Sequence, residues 1–422
     1  VRSMTTEKFA DRLWQLRIIY IARALMSTSR VIAAIGVPIY FAASGFSATK
    51  LGVVFGLASI FTMVTSAIIG SISDRVGRKI FMVVYPIVVS VTLIVFISTS
   101  IAWILILCTV LGSFGRGGGA GAGQVGPYQP AESALLAEIA STKRNDAFVK
   151  VTQMTVVGAL IGSAVSATLF GSLHPSHLNG AITIPFSIAA IAALLGGLVA
   201  LLIQEEKKPT KDKDSKAPRR SLLPRNSMGL LFRLAITNSL NGLAVGMFGP
   251  FLTYFFFVKF HSTPNTVAIL YLITNAISLG PIGVATTLAD RYGSVKVTTI
   301  LRFGQALLLI PFAYAPTFLL ASIFYIVRAT VQRAALPLRS SYVQSQADPN
   351  ERAQVAALSN IPSQIAQSAS PLLAGYLFDS ISYEMPFVVG SILQFVSSIF
   401  YVRFFIDRPP PEEIANPVTD SD

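Results

Sequence analysis

Arginines embedded in apolar runs are the residues of this chain with the most chemistry to perform. Arg23 and Arg30 stand seven apart in one such run, which puts them on nearly the same face of a helix. Arg116 interrupts a second run, and Arg328 and Arg333 a third. A guanidinium taken out of water is costly, so it faces a cavity, a partner or the polar edge of the layer that surrounds it. Reaching outward along an aliphatic stem suits Arg23, and in part Arg333. Arg30 and Arg116 stand deeper and are expected to line a central cavity. There, desolvated guanidiniums would bind carboxylate or phosphate strongly.

Carboxamides and aromatics supply the rest of a candidate binding site. Gln124 follows the Gly-rich stretch after Arg116, Asn238 and Asn241 share one run that leads into Tyr254-Phe-Phe-Phe257, and Gln364 and Gln367 recur at helical spacing after Asn360. An apolar cavity with a few such groups suits amphipathic small molecules. Amides of this kind also serve as packing glue between helices, and the sequence leaves both readings open. Arg30, Arg116, Gln124, Asn238, Asn241, Tyr254, Gln364 and Gln367 are therefore the expected substrate-binding residues. His174 and His177 are two ligands at most and read as solvated polar residues, so no metal is expected. Gly121-x-Gly123-x-x-Gly126 has the glycine spacing of a dinucleotide fingerprint, but no strand precedes it. No phosphate-binding loop occurs either, so no cofactor is expected.

The elements that must position these groups follow from composition. Of 422 residues, 53% are hydrophobic and only 13% charged, a balance that excludes a soluble domain of this size. About twelve apolar runs reach the roughly 20 residues that a membrane helix needs. The expected fold is thus an all-α polytopic membrane protein. The net charge of +13 does not indicate nucleic acid, because the basic residues sit in turns between the runs. They gather in alternate loops, at Arg75, Arg78, Lys79, Lys143, Arg144, Arg291 and Lys296 among others, which places both termini in the cytoplasm. The hydrophilic stretch 204–228 reads as a solvated linker between residues 1–203 and 229–406, each expected to form a six-helix bundle, with 407–422 as a tail. Eight basic residues in that linker would suit anionic lipid. Cys108 is the single cysteine, so no internal disulfide can form.

The two halves repeat. Asp74-Arg75-Val-Gly77 is echoed by Asp290-Arg291-Tyr-Gly293, Arg116 by Arg328, and Pro130 by Pro337, with offsets near 210 residues. Such parallel repeats place a substrate path along the interface of two halves. The first copy, Gly70-x-x-x-Asp74-Arg75-x-Gly77-Arg78-Lys79, resembles the loop 2-3 signature of the major facilitator superfamily. Gly70, Asp74, Arg75, Gly77 and Arg78, with Asp290 and Arg291, are accordingly expected to act in gating, Asp74 by accepting hydrogen bonds from the N-terminus of another helix. Arg116 and the glycines after it resemble the helix 4 motif of the same superfamily. Pro130-x-Glu132-x-Ala-Leu-Leu-Ala-Glu138 and Pro337-Leu-Arg339-Ser-Ser-Tyr342 are similar to patterns in its twelve-span drug-efflux-like group. One departure stands out: the helix 5 antiporter motif is reduced to Gly158-x-x-x-Gly162-Ser163 without its proline.

That resemblance implies a secondary transporter working by alternating access at the cell membrane, with a small-molecule substrate, a proton or other coupling ion, a monomeric state and no enzymatic activity. Proton-coupled export of amphipathic compounds is the first expectation. Uptake of an organic anion or a sugar is the alternative, and a membrane receptor or enzyme is the reading from another class. Aligning the repeats sets Glu132 opposite Arg339, an acid and a base that would pair in one access state and part in the other. Glu132 is then also the expected proton-carrying group.

Overall fold

In a computed structural model the chain is described at residues 2–114, 126–140, 144–170, 178–205, 224, 226–277, 281–348, 351, 355 and 358–407. Among these residues the only regular elements are helices: α1 (Arg2–Ala43), α2 (Ala48–Val76), α3 (Lys79–Ser98), α4 (Ala102–Leu111), α5 (Gln129–Ala140), α6 (Arg144–Leu169), α7 (Leu178–Ala200), α8 (Met228–Phe248), α9 (Leu252–Phe260), α10 (Pro264–Ile277), α11 (Pro281–Tyr292), α12 (Ser294–Ala313), α13 (Phe318–Gln346), α14 (Ile361–Ser380) and α15 (Met385–Phe405). Nine of the described helices are long and apolar enough to cross a membrane. The apolar runs near 101–125, 264–288 and 353–378 do not add to that number, for local reasons. Gly112 and Ser113 end α4 early, with Ser113 at φ 55°. Residues 278–280 lie outside the description, and α14 carries Ser363, Gln364, Gln367, Ser368 and Ser370 among its apolar residues.

Two compact units organise these helices. Unit 1 comprises 1–210 with 250–272, and unit 2 comprises 211–249 with 273–422. The apolar run 229–258 is split between them because Gly249-Pro250 interrupts it: proline has no N–H to give to a helix and clashes with the preceding turn. Beyond that break α9 packs on unit 1. Thr253 donates to the Ala34 carbonyl at 3.4 Å, Phe251 sits edge-on to Phe55, and the Asn265 amide donates to the Ala167 carbonyl.

Within unit 1, α1 and α6 approach closely because Gly158 and Gly162 lack side chains. A Cβ on Gly162 would stand 2.7 Å from the Thr28 carbonyl, and one on Gly158 2.7 Å from Ser27 Cβ. The contact that glycine permits is sealed by hydroxyls, Ser27 donating to the Thr155 carbonyl and Thr28 to the Gly158 carbonyl. The reduced helix 5 motif is thus a packing surface for α1. In unit 2 the glycines have changed sides: Gly242 and Gly246 of α8 lie against Ser363 and Gln367 of α14. A Gly162→Val substitution should lower the melting temperature of the detergent-purified protein by the equivalent of about 1–3 kcal/mol. Gly304→Ala, where a Cβ would meet nothing, should be neutral or stabilising by up to about 1 kcal/mol. Equal effects of the two would contradict this packing.

Candidate functional site

Helix α4 ends at Leu111 and is followed by a turn at 112–114, and α5 begins at Gln129, with residues 115–125 outside the description. A helix that ends inside an apolar layer leaves carbonyls without partners. Arg30 supplies them, its Nη1 donating to the Gly112 carbonyl at 2.6 Å and its Nη2 to the Ser113 carbonyl at 2.8 Å. The Tyr85 hydroxyl adds a third bond, to Gly112, at 3.1 Å. A cation at a helix C-terminus is also favoured by the helix dipole. Arg30 is fully engaged in closing this end.

Two turns earlier on the same helix, Arg23 meets the other side of the interruption. Its Nη1 lies 3.1 Å from Glu132 Oε2, at the first turn of α5. The two side chains are 10% and 2% exposed, so Arg23 does not reach out to a headgroup, as its position near the helix start suggested. The carboxylate it meets is buried at the same depth, and the pair is cheaper than either charge alone. With arginines seven residues apart, α1 holds both sides of the interruption from about 10 Å along its axis. Tyr128 closes the space between, its ring 5.8 Å from Tyr85. Gly126, at φ 94°, lets the backbone pass beneath Tyr85, where a Cβ would stand 3.2 Å from the ring.

From Glu132 the same helix leads to the polar turn between α2 and α3. Glu138 Oε2 takes a charged hydrogen bond from Arg78 Nη1 at 2.7 Å, and Pro130 lies 3.7 Å from where a Gly70 Cβ would stand. The first amides of α3 are capped by Glu205, which accepts from Arg78 N at 2.8 Å and Lys79 N at 3.0 Å. That is the bond type expected of Asp74, whose side chain lies outside the description. Glu205 was hidden because it sits at the start of a stretch read as linker, without periodicity to mark it. Gly77, at φ 106°, leaves room for its carboxylate, since a Cβ there would stand 3.1 Å from Oε2. One residue before, Gln204 N donates to Gln15 of α1 at 2.9 Å. The contacts therefore run from α1 through α5, the turn and the end of α7, and back to α1.

The other expected site residues are placed as follows. Arg116 and Gln124 lie outside the described residues, as do His174 and His177 and the side chain of Asp290. Arg75 is exposed, and exposed Arg291 stacks on Tyr292. Gly293, at φ 89°, precedes α12 as Gly77 precedes α3. In unit 2, Arg339 donates to Asn238 at 2.7 Å, and Asn238 in turn to the Ser359 carbonyl. Asn241 accepts from Gln394 at 3.3 Å. Gln364 is half-buried, Gln367 donates to Ser363 one turn earlier, and Tyr254 is buried edge-on to Phe251 in unit 1. Arg302, which no motif singles out, donates to Ser397 at 2.6 Å and stacks over Tyr401.

The Arg23–Glu132 pair makes a stability prediction. Arg23→Gln and Glu132→Gln each strand a buried charge and should destabilise by about 3–5 kcal/mol. The double substitution should melt above either single one. Additive losses in thermal unfolding would show that the pair does not act as a unit.

The chain resembles known proteins over most of its length. The family model for the Major Facilitator Superfamily matches residues 19–360 and 234–421. A homologue of the multi-drug resistance efflux pump PmrA from Lactococcus lactis is 22% identical, across 87% of this chain and 89% of that protein. The multidrug resistance protein MdtG of Klebsiella pneumoniae is 23% identical, across 87% of each. Among solved structures, a point variant of the nucleoside transporter NupG superposes with a TM-score of 0.72 at 16% identity, covering 93% of this chain and 99% of that one. The D-xylose-proton symporter does so at 0.69 and 15%, covering 93% and 98%. At those identities the structures speak for the fold, and the family match speaks for descent: the chain belongs to the major facilitator superfamily.

Proposed function

We propose that this transporter exports small amphipathic molecules in exchange for protons, with Glu132 as the proton-carrying group. The observation that carries the reading is the buried Arg23–Glu132 pair beside the interruption between α4 and α5. A proton arriving at Glu132 dissolves the pair, leaves Arg23 without its counter-ion and so changes the balance between conformations that hold α5 and conformations that release it. The names of the curated relatives support an efflux substrate, since they are multidrug proteins matched over nearly their full length. Orientation completes the proposal: both termini and the 204–228 linker face the cytoplasm, as the basic loops favour.

Everted vesicles test both parts. With an acidic interior they should accumulate ethidium, and protease added outside should cut within 204–228. Glu132→Gln should abolish the pH-driven accumulation and leave downhill ethidium exchange in place. Accumulation by the Glu132→Gln protein at the wild-type level would exclude Glu132 as the coupling group, and protection of the linker would reverse the orientation.

A further inference from the structure

Unit 2 holds a buried guanidinium whose hydrogen-bonding capacity is poorly used. Arg328 of α13 is 1% exposed. Its Nη1 and Nη2 reach Gln332 and Gln394 only at 3.4 Å, and its Nε has no partner. No described ion pair includes it; its other contact is the face of Phe248, 4.1 Å below the guanidinium carbon. Other buried arginines of the chain each have at least one shorter contact, while the Nε of Arg23 and of Arg302, like that of Arg328, has no partner. Arg23 has a carboxylate, Arg30 two carbonyls at 2.6 and 2.8 Å, and Arg302 a hydroxyl at 2.6 Å. Hydrogen bonds at 3.4 Å are at the limit of the interaction, so the charge is desolvated without being paid for.

Around it stand carboxamides from separate helices. Gln394 of α15 donates to Gln305 of α12 at 3.2 Å and to Asn241 of α8 at 3.3 Å. All are longer than a well-made amide bond, and Asn241 and Gln332 are partly exposed, so the network opens to the surface of the unit. Gln332 and Gln394 are rotatable and weakly held, which lets them swing aside at small cost. A guanidinium lacking an anion, set on an aromatic face within a ring of adaptable donors and acceptors, is the arrangement that a planar carboxylate completes.

We propose that Arg328, with Asn241, Gln305, Gln332 and Gln394, forms a binding site for small organic carboxylates in unit 2. The proposal goes beyond the transport reading by naming an anionic ligand class, and rests on that reading only for the size of the ligand. Nothing in it requires proton coupling or export.

Binding to the detergent-purified full chain tests it apart from transport. Benzoate, salicylate, hexanoate and gluconate, each beside its neutral amide, would be titrated while thermal unfolding is followed, because a ligand of the folded state raises the melting temperature with concentration. At least one acid should stabilise the wild type while its amide does not. Arg328→Gln should weaken that acid at least tenfold, and Arg328→Lys should retain part of the effect. Ligand-free Arg328→Gln should melt at or above the wild type, since it loses an uncompensated charge. The proposal is overturned if no acid in the panel stabilises the protein, if amides act as well as acids, or if Arg328→Gln binds like the wild type. It is also overturned if ligand-free Arg328→Gln melts lower and Arg328→Lys restores it, the signature of a merely structural guanidinium. Acid binding without ethidium transport would leave this site standing and remove the efflux reading; the converse would do the reverse.

Discussion

Charge that cannot reach water must be met by charge or by well-placed dipoles, and the organisation of unit 1 follows from how α1 meets that demand. Arg30 spends its guanidinium on the carbonyls that α4 leaves open, while Arg23 meets the carboxylate of α5. An interruption in a helix within an apolar layer is tolerated only where neighbours satisfy the freed backbone. The glycines of α6 bring α1 into a fixed position beside it. The polar turn that marks the family is tied into the same set of contacts through Glu138 and Glu205. A change at Glu132 is therefore adjacent, through one short helix, to the turn that the resemblance associates with gating.

The repeat has diverged in what each copy satisfies. Unit 1 pairs its buried arginines with a carboxylate and with backbone carbonyls, and caps α3 with Glu205. Unit 2 holds Arg302, Arg328 and Arg339 on hydroxyls, carboxamides and aromatic rings. Among its described carboxylates, Glu351 accepts from Asn226 N and Ser227 N at the start of α8. The first copy is built around a compensated charge and the second around charge in excess. That division suits a proton site in one unit and recognition of an anion in the other.

Much of this was legible in the sequence, because its signals are long or local. Apolar runs of spanning length, the repeat offset and the ten-residue turn each depend on residue types at fixed spacing. Glu132 was marked by the alignment of the repeats, which sets it opposite Arg339, and Arg30 stood out as a charge too deep to reach a headgroup. What the sequence withheld was partnership. Arg23 looked like a residue reaching outward, and only the fold brings Glu132, more than a hundred positions away, to its side. Glu205 lay in a polar stretch with no period, although its bond to the turn is among the clearest in unit 1. That Arg30 meets the end of α4 depends on helix packing that no local pattern encodes.

Coupling at Glu132 requires that its charge state govern the order of α5 and the adjoining turn. Hydrogen exchange of the purified protein at neutral and acidic pH, corrected for the intrinsic pH dependence of amide exchange, measures that directly. Acidification should loosen the amides of residues 129–140 and those of Arg78 and Lys79 together, and Glu132→Gln should show the loosened pattern at both pH values. Exchange in these segments that ignores pH, or that Glu132→Gln leaves at the neutral wild-type level, would contradict it.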